Sequence, residues 1–360
     1  MQNSSVNRNL DFYKGKKVFV TGHTGFKGSW LTVMLRYLGA DIMGYSLAAE
    51  KGCLYEQIEG DELAKSEVGD LCDRAKLHNA IQTFKPEIII HLAAFGFVNE
   101  CFEDPVRAYQ TNLMGSLNLL EEVRFCESVK SVVMVSTDKV YLNEGDGVNY
   151  SEDSRLGGLG PYSASKTCME NLVADYRNTY LMTSNKKVGI ATVRASNVLG
   201  GGDHIESRLI PSILKAVDEH RKVELRNPDQ IRPWQSVLDA LNAYLTIGRY
   251  LYCNPEDYSE AWNVGPRPEG IKSVSWIFNE IKQSFGALSE GNAQKFRINE
   301  SKTLGLDIRK ILQKTDWEPR LSTEELIHDV VSFYQRRKDG DAALDICLDQ
   351  IENFFSGVRI

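Results

Sequence analysis

No apolar run in this chain approaches the ~18 residues that a membrane-crossing helix needs, and no stretch repeats or collapses into low complexity. Cysteine is sparse and scattered, with seven residues at 53, 72, 101, 126, 168, 253 and 347 and no Cys-x-x-Cys pair. The odd number and the spacing argue against a disulfide framework and a zinc site, and for reduced thiols in a cytoplasm. The six histidines form no ligand-spaced cluster, so no metal is expected. Positive charge is in deficit, with 42 Lys and Arg against 49 Asp and Glu and a net charge of −7. That balance argues against nucleic acid and anionic membranes as partners. Met1 to Asn9 is polar, lacks a signal-like pattern and is expected to be frayed.

Glycine is placed with more purpose. Thr21-Gly22-His23-Thr24-Gly25-Phe26-Lys27-Gly28 follows the apolar run Lys17-Val18-Phe19-Val20 and leads into the helix-compatible Ser29-Trp30-Leu31-Thr32-Val33-Met34-Leu35. Strand, glycine-rich turn and helix start form a phosphate cradle: the backbone approaches a pyrophosphate while the helix N-terminus offers free N–H groups. A glycine-rich turn without a ligand is the alternative reading. Apolar runs at 17–20, 41–46, 66–69, 87–92, 131–136 and 188–193 alternate with helical patterns at 28–38, 73–84, 105–128 and 162–181. The expected fold is α/β, a Rossmann-type doubly wound parallel sheet with a smaller C-terminal α/β substrate domain. Residues 12–195 form the dinucleotide domain, 196–345 the smaller domain with interleaved segments, and 346–360 a tail. Helices are expected at 208–219 and 236–252. Ala342 to Phe355 reads as an amphipathic helix covering the second domain.

Tyr162-Ser163-Ala164-Ser165-Lys166 places a phenol and an ammonium four apart, on one face of a helix. A cation beside a phenol favours phenolate and tunes it as a general base. Upstream, Val132-Val133-Met134-Val135-Ser136-Thr137 reads as a buried strand ending in hydroxyls, so Thr137 is placed to hold a substrate hydroxyl against Tyr162. The cradle, the strand-end Thr and Tyr-x-x-x-Lys together resemble the short-chain dehydrogenase/reductase superfamily. The Thr-Gly-x-x-Gly-x-x-Gly form resembles its extended, nucleotide-sugar-modifying branch.

Under that resemblance Gly22, His23, Thr24, Gly25, Phe26, Lys27 and Gly28 bind the cofactor, joined by Tyr162 and Lys166. Asp70, next to Leu71, receives the adenine amino group or caps a helix, as Asp73 also can. Ala93 and Ala94 let a flat cofactor lie against backbone. Asn112 organises a proton path or packs a helix. The strand Ile42-Met43-Gly44-Tyr45-Ser46 ends without the acid that binds a ribose 2′-OH and without an Arg for a 2′-phosphate, although Lys27 is near. NAD is the expected cofactor, from the inferred chemistry.

Asp138 and Lys139 follow Thr137 directly, an acid and a base at the substrate's edge, unless they are a solvated loop pair. Sugar 4,6-dehydratases resemble this. In that chemistry Tyr162 takes the 4-hydroxyl proton while hydride passes from C4 to NAD+. Lys139 is the candidate base for the C5 proton, a role that requires a depressed pKa such as Lys166 and burial could supply, and Asp138 protonates the departing 6-hydroxyl. Hydride returns to C6, so the cofactor is regenerated each turnover.

Longer strings resemble the CDP-glucose 4,6-dehydratases over about residues 12–335: the start through Trp30, Leu156-Gly157-Gly158, Arg194 to Asp203, Arg208-Leu209-Ile210-Pro211, Arg226-Asn227-Pro228-Asp229, Ile231 to Leu238 and Trp317-Glu318-Pro319. The resemblance implies that Asn197 holds a sugar or phosphate oxygen and that Arg208 and Arg232 bind the diphosphate. Surface ion pairs are the alternative for each Arg. Trp234 covers the nucleotide or fills core, and Gln235 beside it is grouped with the substrate residues. The chain departs from the family at Phe95-Gly96-Phe97-Val98-Asn99, where Gln-Pro-Leu-Val-Arg is usual, and at Ser196 and His204. That loop is expected to face the sugar, so a relative acting on a GDP-, UDP- or dTDP-sugar is a second reading, beside a same-fold epimerase or reductase. A non-catalytic dinucleotide sensor would have little reason to keep Thr137, Tyr162 and Lys166. A homodimer, or a tetramer, is expected through the helices at 105–128 and 162–181, where Leu113, Leu117, Leu120 and Val123 fit an interface or the parent sheet.

Overall fold

A computed structural model of the chain describes residues 5–145, 147–225, 227–285, 290–292 and 304–357. Arg226 of the family-like strings lies outside them. Seven strands build one parallel sheet: β1 (Lys17–Thr21), β2 (Asp41–Ser46), β3 (Lys65–Val68), β4 (Ile88–His91), β5 (Ser131–Thr137), β6 (Gly189–Ala195) and β7 (Ala261–Val264). Their spatial order is β7-β6-β5-β4-β1-β2-β3. Central strands such as β4 and β5 are buried at every position, as unbroken apolar runs between two helical layers must be. Lys65 and Glu67 mark β3 as the edge. The chain reverses direction across the sheet between β1 and β4, and the strands' C-terminal ends open a crevice there.

Helix α1 (Ser5–Tyr13) is the first described element. This corrects the expectation of fraying for Ser5 to Asn9, Met1 to Ser4 lying outside the described residues: Asn9 is fully buried, and its amide donates to Asn242 (2.9 Å) and Thr246 (3.1 Å). Helix α2 (Phe26–Tyr37) follows the glycine turn. The helix expected at 105–128 is broken: α-helix at 105–109, a π-helical segment Gln110–Gly115, then Ser116–Phe125. A second π segment, Arg177–Leu181, ends the helix α3 (Pro161–Tyr176). Val237–Cys253 and β7 lie within 196–345 of the sequence yet pack on the first sheet, in the core that holds Val18, Trp30 and Val133. The smaller unit has a three-stranded sheet from Asn197–Leu199, Ile231–Ser236 and Ile271–Ser273, and a core around Ile213, Trp234, Phe278 and Val330.

The C-terminal helix, Ala343–Ser356, is amphipathic, but it corrects the expectation of a cover for the second domain. Ile346, Ile351 and Phe355 join the core of Trp30 and Val33, and the Phe355 ring lies 5.4 Å from Tyr37 on α2. Among the described residues no helix is long and apolar enough to cross a membrane.

Candidate active site

A cleft of about 1220 Å³ opens at the C-terminal ends of β1, β2, β4, β5 and β6 and is walled by the smaller unit. At one end is the glycine turn. Gly22 has φ +72°, and a Cβ there would lie 2.7 Å from the Ala93 nitrogen; one on Gly28 would lie 2.1 Å from the Gly22 carbonyl oxygen. The turn is therefore packed backbone to backbone, and α2 begins at Gly25 with no side chain capping its N–H groups. Gly28→Ala has no side-chain neighbour to push aside. It is expected to cost about 1–3 kcal/mol of stability and to abolish dinucleotide binding, checked by thermal melting and NAD titration.

Thr24, Gly25, Phe26, Lys27, Asp70, Leu71, Ala93 and Ala94 line this end together with Ser46 and Leu47. An uncapped helix start, small residues and no cationic residue at the end of β2 fit a dinucleotide without a 2′-phosphate. Asp70 accepts from the Cys72 nitrogen (2.8 Å), whereas the cap of the following helix is Asp73. Two residues of the turn aim their side chains elsewhere. His23 is fully buried, hydrogen-bonded to Ser66 (2.8 Å) and wedged against Gly44, so its ring faces away from the cleft. Lys27 points inward, away from the end of β2, with Nζ 3.3 Å from the Tyr244 hydroxyl. Burial, then Lys166 and Arg208, push its ammonium down to about 7.

At the other end Thr137 closes β5, and Pro161 starts α3 so that Tyr162 faces the cleft one residue later. Thr137 Oγ1 donates to Asp138 Oδ1 (3.1 Å). Asp138 is buried, and its Oδ2 has no hydrogen-bond partner among the described residues. Burial raises its carboxyl pKa against the pull of Lys139, Thr137 and Arg232. Lys139 lines the cleft beside it. Tyr162 corrects an expectation: burial pushes its phenol up, to about 12, with Thr137 and Arg208 opposing. Lys166 does not reach it in this structure, because its ammonium donates to the Val135 carbonyl (2.7 Å).

Burial also pushes Lys166 down to about 8, with Glu170 opposing. A lysine whose folded-state pKa lies below its unfolded value binds fewer protons when folded, so it destabilises the fold at and below neutral pH. Lys166→Met should therefore gain most melting temperature relative to wild type near pH 7, the gain shrinking as pH rises from about 8 to about 10. Melts across that range check it.

Asn112 makes the contacts of a packing polar residue, the second of its two readings. Its Oδ1 accepts from the Phe95 nitrogen (2.8 Å), and its Nδ2 donates to the Phe95 carbonyl (3.1 Å) and Ser165 Oγ (2.9 Å). It lashes the 95–97 loop to the Tyr162 helix. The π turn that carries it has no signature in the residues. Phe95 packs against Tyr162, and Arg107 lies 4.5 Å above the Phe95 ring, both on the cleft wall. The loop 95–99 faces the cleft throughout.

Among the expected substrate residues, Asn197, Arg208, Arg232 and Trp234 line the cleft. Arg232 is buried close enough to Asp138 to act on its charge. Trp234 is mostly core, its indole donating to the Lys272 carbonyl (2.9 Å). Gln235 is a correction: strand alternation turns it away, and its amide donates to Val264. Sequence reasoning missed two supports. Arg194, on β6, forms a buried pair with Glu170 at 2.9 Å, and Asp203 holds Arg208; Arg194 and Asp203 stand in a family-like string that does not reveal these partners, and Glu170 stands in none.

A sequence profile of the family described as GDP-mannose 4,6 dehydratase matches residues 19–330. The chain belongs to that family. A CDP-glucose 4,6-dehydratase from Salmonella typhimurium (strain LT2) is 39% identical over 354 residues, covering 96% of this chain and 98% of the relative. A dTDP-glucose 4,6-dehydratase from Escherichia coli is 28% identical over 357 residues, covering 90% and 94%. Among solved structures, the Bacillus anthracis dTDP-glucose 4,6-dehydratase in complex with NAD is similar with a TM-score of 0.75 at 24% identity, covering 92% of this chain and 100% of that one. The Thermotoga maritima UDP-glucose 4-epimerase with UDP-glucose gives 0.77 at 22%, covering 89% and 99%. These two establish the shared fold. In this member of the dehydratase family the cleft brings an acid, a lysine, a threonine and a tyrosine to one end and a phosphate cradle to the other.

Proposed function

We propose that the protein is an NAD-dependent nucleotide-sugar 4,6-dehydratase that converts CDP-D-glucose to CDP-4-keto-6-deoxy-D-glucose. The carrying observation is Asp138, a buried carboxyl with one oxygen unpartnered among the described residues, in the same cleft as Thr137, Tyr162 and Lys139. Epimerisation needs no acid to expel a hydroxyl; dehydration does. The 39% identity to the Salmonella relative supports the nucleotide and the sugar.

The Gly22–Gly28 turn would hold NAD, which when bound would supply a reversible hydride acceptor between C4 and C6, so that no external reductant would be needed. Thr137 orients the 4-hydroxyl and Tyr162 takes its proton. With C4 a ketone, the C5 proton is acidic; Lys139 removes it and returns a proton to C5 when hydride adds at C6. Asp138 gives its proton to the 6-hydroxyl, which leaves as water. Arg208 and Arg232 bind the diphosphate, and Asn197 holds a neighbouring oxygen.

The aromatic loop Phe95–Asn99 on the cleft wall favours a second reading, a dehydratase of another nucleotide sugar. We place the protein in the cytoplasm as a homodimer. Val106, Met114, Phe125 and Tyr180 are exposed on the two helical segments expected to pair, whereas Leu120 and Val123 are committed to the parent sheet. Incubation with CDP-glucose and with GDP-, UDP- and dTDP-hexoses, without reductant, tests the reaction by mass spectrometry. Loss of one water from CDP-glucose alone is the expected result. Loss from another donor moves the substrate, and loss from none overturns the reading.

A further inference from the structure

Phe97 precedes the short helix Val98–Glu103 in the loop after β4. Its ring lies against Arg208, 5.3 Å from the guanidinium carbon. Asp203 anchors the same guanidinium from another side: Nη1 donates to both carboxylate oxygens, at 3.1 and 3.0 Å. Asp203 is itself fixed. It is buried, the Tyr334 hydroxyl donates to its carbonyl (2.8 Å), and Gly202 turns the chain into it at φ +78°. Phe97, Asp203 and Arg208 all line the cleft.

This arrangement consumes little of the guanidinium. Asp203 engages one of its three nitrogens, and a ring against the plane uses no N–H. Nε and Nη2 have no hydrogen-bond partner among the described residues, and together they form the edge that matches two oxygens of a phosphate. We propose that Phe97 is a positioning residue: with Asp203 as the tether, its ring holds the free edge of Arg208 ready for the diphosphate of the nucleotide sugar. This rests on the functional reading above and assigns the aromatic loop a task at the diphosphate. A long side chain already held in its binding geometry loses less freedom when the ligand arrives.

The test uses the holoenzyme and titrates CDP, GDP, UDP and dTDP by calorimetry, following the tightest. Phe97→Leu keeps apolar bulk and removes the π face. It is expected to weaken that diphosphate about fivefold and to raise KM by a similar factor with kcat little changed. Phe97→Trp should restore affinity. In an Arg208→Ala background Phe97→Leu should add nothing. Equal weakening in that background, or none in wild type, overturns the proposal. If wild type dehydrates no sugar nucleotide while the Phe97–Arg208 coupling persists, the functional reading fails and the positioning role stands.

Discussion

Tyr162→Phe is expected to lower kcat by about 10²–10⁴-fold while leaving nucleotide-sugar affinity nearly unchanged. The ring stays, so its packing against Phe95, Cys101 and Ala108 stays. What goes is the oxygen that takes the 4-hydroxyl proton. The pH profile sharpens the test. With the phenol pushed up to about 12 by burial, the ligand-free protein holds it protonated at neutral pH. The reactive phenolate then grows about tenfold per pH unit below that value, so wild-type kcat/KM should climb with pH through the neutral range. Tyr162→Phe should lose that slope. A flat wild-type profile, or a variant within a few-fold of wild type, would place the base elsewhere.

The parts of the fold that were legible in the sequence are those whose burial is total. β1, β4 and β5 are unbroken apolar runs because helices cover both their faces. β7, Ala261-Trp262-Asn263-Val264, was not legible, because it is short and carries Asn263. That amide is satisfied by the carbonyls of Tyr150 (2.8 Å) and Asp307 (3.1 Å), which only the folded chain brings to it. The break in the 105–128 helix hides for a related reason. Residues 105–125 are compatible with helix throughout, and the π turn carries Asn112 to partners on Phe95 and Ser165 that only the folded chain brings near.

In the site, sequence spacing placed groups but not their orientations. The i, i+4 rule put Tyr162 and Lys166 on one helix face, yet the strand-end carbonyl of Val135 takes the ammonium and burial decides the phenol. Lys27 stands within the cofactor motif, but its direction follows from Tyr244, more than two hundred residues on. Adjacent residues of one string, Trp234 and Gln235, part company at the cleft wall because a strand alternates. Asp138 was legible as an acid beside a Thr. That one of its oxygens is buried without a partner was not.

That oxygen gives the most discriminating expectation. Asp138→Asn keeps the shape and the Oδ1 that accepts from Thr137, and removes the proton needed to expel the 6-hydroxyl. Water loss should fall by about 10²–10⁴-fold. Oxidation at C4 depends on Tyr162 and should persist, so borodeuteride quenching should leave deuterium at C4 of an intact hexose. Removal of the C5 proton depends on Lys139 and should also persist, washing solvent deuterium into C5 in D2O. Lys139→Met should lose both the C5 exchange and the water while C4 is still oxidised. The wild-type pH profile carries the same assignment from the other side. Burial raises the Asp138 pKa and keeps its acid form populated to higher pH than an exposed carboxyl, and dehydration should decline relative to C4 oxidation as pH rises through that value. An Asp138→Asn protein that dehydrates at the wild-type rate would leave the unpartnered oxygen without a chemical role. The acid would then have to be another group on the wall of the same cleft.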